Sequence, residues 1–427
     1  MTPTKLRSLA EEYGTPLLVI DGPTVEREVA RYLDAVRRSA GGRLFYASKA
    51  LTLVPLVGRI ASRGAGIEVV SPGELATALA AGVPAGRILL NGSPKAAQDI
   101  DVAVRAGVTT FVLDAREELG RLEASLAAHG RTAKVLIRYT PERPSDTHHY
   151  VQTAGEASKF GFLRSEALAM AGRLAASGRV RYLGLHVHIG SNLSATDEHL
   201  EAAVDAAGLI EEISGAYGLM AEVLDIGGGF ATATPARAPA VADLVGEIDA
   251  HLLMRFGETR PAVWLEPGRA LVEGAGTLVY EVLAVKSRPK GPLILVDGGM
   301  GDNIRPALYG ARYALGVEPR REGELRPHEV YGRYCESGDR IGDLMAADVR
   351  AGDLLLVERA GAYTYSMASN YNRIGRPAVV WDGPSGATVM ARREHPDELL
   401  RLDGEALPEA SFGAGAAGNP KGVVTGG

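Results

Sequence analysis

The feature that most constrains the fold is a regular alternation of short apolar runs with longer amphipathic stretches, which begins near residue 43. Eight runs have the length and composition of buried strands, at residues 44–47, 66–70, 88–91, 109–113, 135–139, 182–188, 222–226 and 262–266. Helical patterns separate most of them, at 72–81, 115–128, 165–176 and 199–217. This order predicts an α/β chain built on a (β/α)8 TIM-type barrel. A doubly wound sheet would need fewer strands and a dinucleotide-binding glycine motif after the first one, which the sequence lacks.

Beyond residue 274 the pattern changes to short β-rich runs separated by glycine, proline or charged residues. These runs lie at 277–285, 293–296, 353–357, 379–381 and 388–391, and helical periodicity returns only around 305–315. The pattern predicts an antiparallel, Greek-key-like β domain. We therefore expect a barrel over residues 23–273, a C-terminal β domain over 274–410 that residues 1–22 join, and a flexible tail over 411–427.

Composition excludes several classes of function. The chain has 427 residues and a formal net charge of -6, so it lacks the basic excess of a nucleic-acid-binding protein. No uncharged apolar run is long enough for a membrane span, and the first residues lack the apolar segment of a secretion signal. The single cysteine, Cys335, cannot form an internal disulfide and fits a reducing compartment. We expect a cytoplasmic protein with a small-molecule substrate and no nucleic-acid or membrane partner.

Chemically active side chains stand where the predicted barrel strands end, which is the face that carries the active site in this type of barrel. Lys49 follows the first strand, Arg138 lies in the fifth, His188 ends the sixth and Glu266 ends the eighth. A lysine at a barrel mouth can form a Schiff base with a carbonyl group, and we expect partial burial there to lower its pKa. The alternative for Lys49 alone is an ordinary solvated surface charge.

Three consecutive glycines, Gly227, Gly228 and Gly229, follow the seventh strand. Their bare N–H groups can bind a phosphate, although a triple glycine can equally be a flexible turn. Glu266 can pair with a heterocyclic nitrogen, or more simply with Arg269. Lysine, phosphate loop, flat histidine ring and carboxylate together indicate pyridoxal 5′-phosphate. The literal GxGxxG pattern at 413–418 has no strand before it and no helix after it, so we assign it no function.

The HxH pair of His186 and His188 offers a second interpretation, because metal-dependent hydrolases on the same barrel use this spacing. Such a centre needs further ligands from other strand ends, and none of those ends offers a histidine. His148 and His149 fall in a predicted loop, where a solvated role is expected. A hydrolase therefore stays as the alternative, and we expect no metal.

These residues lie in longer motifs that match a known family. The motifs are FYASKA, IEVVSPGEL, EASKFGF, GLHVHIGSN, LDIGGGF, EPGRALV, DNIRPALYGARY, CESGD and GAYTYSMASNYN, and the match runs from residue 12 to about residue 402. The sequence resembles the alanine-racemase-type (fold type III) pyridoxal-phosphate decarboxylases, and in particular the diaminopimelate decarboxylase family. The resemblance implies a homodimer that converts meso-2,6-diaminopimelate to L-lysine and CO2, the last step of lysine biosynthesis.

The resemblance also implies a role for each matching residue. The expected cofactor-binding residues are Lys49, His188, Ser191, Gly227, Gly228, Gly229, Glu266, Pro267, Gly268, Arg269 and Tyr363. The expected substrate-binding residues are Arg269, Arg305, Tyr309, Glu336 and Tyr363. Lys49 would hold the cofactor, His188 would stack on its ring, and Cys335 would donate a proton to the product. In this family Cys335 and Glu336 come from the second subunit, so each active site would be shared between two chains.

Charge counting supports a substrate with an amino-acid group at each end. Arg305 and Arg269 can bind a distal carboxylate and would repel a tail that carries only an ammonium group, such as that of lysine or ornithine. By the family comparison, Glu266 occupies the place that racemases of this fold give to arginine, which favours decarboxylation. A decarboxylase for another amino acid stays as the nearest alternative, and a non-catalytic cofactor-binding protein is disfavoured because such proteins lack the β domain.

The sequence departs mildly from the family pattern at three places. Glu68 stands where the family commonly has aspartate, the fifth strand reads LIRYTPE, and Asn192 replaces a common glutamine. None of these positions has a transferred role, although each leaves room for a shifted substrate.

Overall fold

A computed structural model of the chain describes residues 1–141, 158–191, 193, 196–232, 240–289, 291–401 and 403. In chain order the strands are β1 (Leu17–Asp21), β2 (Arg43–Ala47), β3 (Gly66–Val69), β4 (Ile88–Leu90), β5 (Thr110–Leu113), β6 (Ala133–Tyr139), β7 (Val180–Val187), β8 (Val223–Asp225), β9 (Ala262–Leu265), β10 (Gly276–Lys286), β11 (Leu293–Val296), β12 (Leu315–Glu318), β13 (Arg326–Tyr331), β14 (Arg340–Ala346), β15 (Leu354–Glu358), β16 (Ala378–Gly383) and β17 (Gly386–Ala391). The α-helices are α1 (Pro3–Tyr13), α2 (Gly22–Val36), α3 (Val54–Ser62), α4 (Pro72–Ala80), α5 (Ala97–Ala106), α6 (Arg116–Ala128), α7 (Arg164–Ala175), α8 (Asp197–Tyr217), α9 (Val241–Phe256), α10 (Arg269–Val272), α11 (Arg305–Tyr309) and α12 (Pro396–Leu400).

Strands β2 to β9 form a closed parallel barrel, in which each strand pairs with the next and β9 pairs with β2. These are the eight strands that the apolar runs predict, so the prediction of a (β/α)8 barrel is confirmed. The helices between them cover the outside, as parallel strands buried on both faces require.

Side-chain alternation along the strands divides the barrel interior into two layers. The lower layer is an apolar cluster with one residue from seven of the eight strands: Phe45, Leu89, Val112, Leu136, Leu183, Val223 and Trp264. Successive side chains of a strand point to opposite faces, so the residue two positions further on also points inward. At five of these strands that residue is polar: Asn91, Asp114, Arg138, Asp225 and Glu266. A dry floor therefore lies beneath a ring of polar groups at the barrel mouth.

The second sheet contains β1 and β10 to β17. Six of its pairings are antiparallel, as predicted, but β1 with β16 and β11 with β13 are parallel. The strand β1 precedes the barrel in sequence and lies between β10 and β16, and such a long connection allows a parallel pair. Helix α1 covers one face of the sheet, where Leu6 and Leu9 pack in the apolar cluster that contains Leu17 and Val380.

Three strands of this sheet, β12, β13 and β14, escape the sequence prediction because they are partly exposed and carry charged residues between their apolar ones. The helix expected around 305–315 is shorter than its pattern suggests and ends at Tyr309. Within the described ranges, no helix combines the length and apolar character that crossing a bilayer would require. The predicted tail at 411–427, the pair His148 and His149, and Asn192 lie outside the described residues.

Candidate active site

The carboxyl ends of the barrel strands surround a cavity of about 400 Å³. Nine of the predicted site residues line it: Lys49, His188, Ser191, Gly228, Gly229, Glu266, Gly268, Arg269 and Tyr363. Pro267 contributes a carbonyl that accepts the Ala47 N–H at 3.2 Å. The prediction that chemically active groups gather at the strand ends therefore holds for most of the predicted cofactor-binding residues.

Lys49 forms a two-point ion pair with Glu68 from the neighbouring strand. Its Nζ lies 3.1 Å from Oε1 and 3.2 Å from Oε2, and Glu68 is fully buried while 43% of the lysine side chain stays exposed. Burial alone would lower the pKa of Lys49. The charge of Glu68 and a smaller contribution from Glu266 raise it by more than burial lowers it, so the pKa lies above its usual value. The expectation of a lowered pKa at the barrel mouth was wrong, because that expectation took no account of a carboxylate partner.

Glu266 lies at the bottom of the cavity among buried polar groups. Its Oε2 accepts a hydrogen bond from Asn91 Nδ2 at 3.0 Å and lies 3.4 Å from His186 Nε2. Burial would raise the pKa of this carboxyl group, but His186 and Lys49 lower it to about 2. Glu266 is therefore an ionised carboxylate at neutral pH, in spite of its burial.

His188 stands beside the glycine loop that follows β8. Its Nδ1 accepts the Gly228 N–H at 3.2 Å, which leaves the proton of a neutral ring on Nε2. Burial, with the nearby charges of Arg138 and Lys49, holds the pKa of His188 well below its usual value. The ring is therefore neutral, and it lines the cavity beside the loop.

The glycine loop has no room for side chains. Gly227 and Gly229 have φ values of +67° and +89°, which L-residues with a Cβ rarely adopt. A Cβ on Gly228 would lie 2.4 Å from the carbonyl oxygen of Glu266, and one on Gly229 would lie 2.3 Å from that of Gly190. The loop therefore presents bare backbone to the cavity.

A second cavity of about 560 Å³ adjoins the first and shares Ser191, Arg269 and Tyr363 with it. Arg305 and Tyr309 line this second cavity. The Arg305 guanidinium carbon lies 5.6 Å from the centre of the Tyr363 ring, and Tyr363 has a φ of +59°, a strained value of the kind that functional sites retain. Tyr363 therefore stands at the junction of the two cavities.

Comparison with known proteins identifies the family. A profile of the pyridoxal-binding domain of pyridoxal-dependent decarboxylases matches residues 23–273. The chain belongs to the pyridoxal-dependent decarboxylase family. Diaminopimelate decarboxylase from Bacillus subtilis (strain 168) is 38% identical over 407 residues, which cover 92% of this chain and 92% of the relative.

Two solved structures of decarboxylases show the same fold. Diaminopimelate decarboxylase from M. jannaschii in complex with L-lysine is 31% identical, with a TM-score of 0.86 and coverage of 93% of both chains. Lysine/ornithine decarboxylase from Vibrio vulnificus complexed with cadaverine is 25% identical, with a TM-score of 0.76 and coverage of 88% of this chain and 97% of that one. The family resemblance that the sequence motifs predict is confirmed, as is its pyridoxal 5′-phosphate cofactor.

The site of this decarboxylase fits that cofactor. Glu266 Oε1 is buried and has no hydrogen-bond partner among the residues described, and its carboxylate lines the cavity. A protonated pyridine nitrogen would satisfy this oxygen. The bare glycine loop leaves room for a phosphate to approach its backbone closely, although the N–H groups of Gly227 and Gly228 are already bonded to Asp225 Oδ1 and His188 Nδ1. An unpaired acceptor and a bare loop in one cavity match the two ends of the cofactor.

Two predicted site residues of this decarboxylase lie away from both cavities. Cys335 is exposed, and its N–H is 3.4 Å from Asn372 Oδ1. Glu336 accepts a hydrogen bond from the Tyr371 hydroxyl. Within the described part of the chain, neither residue lines either cavity. The structure of one chain therefore does not bring them together with Lys49.

Of the two histidines of the hydrolase alternative, the described part of the structure places one in a group with metal-binding geometry. Among the described residues, the one group with metal-binding geometry is His186, Asp225 and Glu266, and it does not include His188. Because the chain belongs to the pyridoxal-dependent decarboxylase family, we do not carry the hydrolase further.

Sequence reasoning placed Arg138 at a strand end but missed two polar residues of the site of this decarboxylase, Asn91 and Asp114. Asn91 and Arg138 line the cavity, and Asp114 pairs with Arg138 at 3.2 Å. Asn91 and Asp114 each stand two positions after an apolar residue of the barrel floor. That spacing was available in the sequence and would have placed both at the barrel mouth.

Proposed function

We propose that this protein decarboxylates meso-2,6-diaminopimelate to L-lysine and CO2, with pyridoxal 5′-phosphate as its cofactor. The observation that carries the proposal is the continuity of the two cavities, one built for the cofactor and one lined by arginines. The relatives named diaminopimelate decarboxylase, one of them solved with L-lysine, support this substrate and product.

The residues of the first cavity would hold the cofactor at three points. Lys49 would bind it covalently through Nζ, Ser191 and the loop Gly227–Gly229 would hold its phosphate, and Glu266 would accept the N–H of its ring. When bound, the cofactor supplies an electron sink for the negative charge that CO2 leaves on the substrate Cα. Glu266 would keep the ring nitrogen protonated, because an adjacent anion favours the charged form. His188 would pack against the ring, and Gly268 and Arg269 line the same cavity.

The second cavity would bind the distal end of the substrate. Arg269 is already paired with Glu273, at 2.7 Å, whereas no acidic partner of Arg305 is found among the described residues. Arg305 therefore has its guanidinium available for a carboxylate, and Tyr309 and Tyr363 lie beside it at 5.5 and 5.6 Å from ring centre to guanidinium carbon. We assign the main contact with the distal carboxylate to Arg305.

Cys335 and Glu336 would enter the site from a second subunit. Cys335 would donate the proton that replaces CO2, and Glu336 would bind the distal ammonium group. Large apolar side chains, Leu308, Tyr309 and Met345, are 54–57% exposed on α11 and β14, which pack against each other beside the second cavity. Burial of this surface would stabilise a homodimer with two shared sites.

The same roles favour a cytoplasmic location. A proton-donating thiol must stay reduced, and Cys335 is a free, exposed cysteine. A reducing compartment preserves it.

Product analysis tests the proposed activity directly. The purified holoenzyme is incubated in parallel with meso-diaminopimelate, lysine, ornithine and arginine, with Lys49→Ala as the inactive control. We expect lysine and CO2 from diaminopimelate, and at most slow turnover of the other three. Faster release of a diamine such as cadaverine or putrescine would assign the enzyme to another amino acid.

A further inference from the structure

Two carboxyl groups, those of Asp225 and Glu266, meet beneath the cofactor cavity. Asp225 is fully buried and Glu266 is 5% exposed. One carboxylate oxygen of Asp225 lies within 4.8 Å of one of Glu266, and two carboxylates so close repel each other and cannot donate a hydrogen bond to one another. If both were ionised, Asp225 Oδ2 and Glu266 Oε1 would each lack a partner among the residues that the structure describes. A single proton held between the two groups would give Asp225 Oδ2 a hydrogen-bond partner. It would also remove the repulsion between two negative charges.

The surroundings of the pair decide which group holds the proton. Glu266 has Asn91 and His186 at Oε2 and the Lys49 charge nearby, all of which favour its anion. Asp225 has one donor, the Gly227 N–H, which lies 2.8 Å from Oδ1. Strands β7 and β9 flank β8, and the charged or titratable groups they and β3 turn toward Asp225 are His186, Glu266 and Glu68. Burial and the nearby Glu266 raise the pKa of Asp225 well above its usual value.

We propose that Asp225 is a positioning residue that stays protonated at neutral pH, donates its Oδ2 proton to the Glu266 carboxylate and holds the Gly227 N–H through Oδ1. One side chain would thereby connect the carboxylate that faces the cofactor ring with the loop that faces the cofactor phosphate. It would fix the separation of the two and would keep Glu266 oriented as an anion. The role that this inference gives to Glu266 rests on the proposed function. The presence of a proton on Asp225 does not depend on it.

A pair of substitutions tests the role of the protonated side chain. Asparagine keeps an acceptor for the Gly227 N–H and a donor for Glu266, so it resembles a protonated aspartic acid and not a carboxylate. We expect Asp225→Asn to keep kcat and the cofactor content within about threefold of wild type, and Asp225→Ala to lose tenfold or more in both, on the order expected for two lost hydrogen bonds to a buried charge. Equal losses in the two variants would overturn the proposal.

Infrared spectroscopy of the cofactor-free protein tests the proton without any reaction. At pH 8, close to the neutral range of the proposal, the carboxyl groups of Asp302 and Asp339, with pKa values of about 7 and about 6, are mostly ionised, so the signal of Asp225 can be separated from theirs. We expect a protonated-carboxyl C=O band that shifts with 13C-aspartate labelling in the wild-type protein and disappears in Asp225→Asn.

Asp249→Asn is the matched control for this spectrum, because Asp249 is also buried but is ion-paired with Arg260, at 3.1 Å, instead of facing a second carboxyl group. The control should leave the band unchanged. A wild-type spectrum without the band would overturn the proposal even if the protein decarboxylates diaminopimelate. Conversely, the band would persist if the substrate proved to be another amino acid, so failure of this inference and failure of the proposed function are distinguishable.

Discussion

The Nζ atom of Lys49 lies between the two carboxylate oxygens of Glu68, at 3.1 and 3.2 Å. Burial raises the pKa of Glu68 to about 7, and the ion pair raises that of Lys49. The amine must lose a proton before it can bond to an aldehyde, since only the neutral amine is a nucleophile. We therefore expect Glu68 to control how readily the empty site accepts its cofactor.

Replacement of Glu68 by glutamine should make cofactor uptake less dependent on high pH. Without the carboxylate, the remaining effect of burial lowers the pKa of Lys49, so we expect the pH midpoint of the uptake rate to fall by about one unit or more. Borohydride reduction, followed by mass analysis of the Lys49 peptide, measures the bound fraction at each pH. Lys49→Ala serves as the blank. An unchanged midpoint would show that Glu68 does not govern the proton on Lys49.

Mixing two inactive variants tests the shared site. In a hybrid dimer of Lys49→Ala and Cys335→Ala, one site combines an intact Lys49 with an intact Cys335, so random exchange should restore about a quarter of wild-type activity. The matched control mixes Lys49→Ala with Glu266→Gln, which both lie in the barrel and leave no hybrid site intact. If subunits are shown to exchange and neither mixture recovers activity, the shared site is contradicted.

Replacement of Arg305 by alanine should weaken selection for a distal carboxylate. Loss of a charge-assisted contact in a partly dry pocket costs on the order of 2–4 kcal/mol, or roughly 30- to 1000-fold in kcat/KM for diaminopimelate. Cofactor content and any slow turnover of lysine should stay unchanged. Arg312→Ala is the control, because Arg312 lines the same cavity, and it should have a smaller effect. Equal losses in both variants would mean that the cavity attracts anions by its overall charge and not by a specific contact at Arg305.

The second domain should be more stable in mild acid than in base because of Asp302. Burial raises its pKa from 3.8 to about 7, so between these values the folded protein holds a proton that the unfolded chain releases. The resulting stability is complete below pH 3.8 and is lost as the pH rises through 7. From pH 5 to pH 8 the free energy of unfolding should fall by roughly 2–3 kcal/mol more in the wild type than in Asp302→Asn.

Urea unfolding at the two pH values measures this difference. Asp343→Asn is the control, because it removes an exposed carboxylate in the same domain. Its free energy of unfolding should depend on pH as that of the wild type does. If the free energy of unfolding of Asp302→Asn falls with pH as much as that of the wild type, the effect belongs to another group.

The sequence predicts the barrel well because its information is local. Apolar runs of strand length and the spacing of the motifs at their ends place Lys49, His188 and Glu266 in one cavity, whatever the details of packing. Strands β12 to β14 are missed because partly exposed strands lack a distinct apolar run.

Pairwise electrostatics are not local, and they account for the largest error. The partner of Lys49 is 19 residues away on the neighbouring strand, so nothing beside the lysine in the sequence signals a raised pKa. The same limit applies to Asp225, whose proton depends on Glu266, and to Cys335, whose proposed partners belong to another chain.

The position of β1 has a consequence for synthesis on the ribosome. This strand leaves the ribosome before the barrel strands, but both of its neighbours, β10 and β16, come from the second half of the chain. It must wait as an unpaired strand while the barrel emerges and folds behind it, and it can complete the sheet only after residue 383 has been made. A nascent chain released before that point would carry Lys49 in a closed barrel beside an open sheet edge, a template for aggregation. For this fold, premature termination therefore exposes a sheet edge that the longer chain covers.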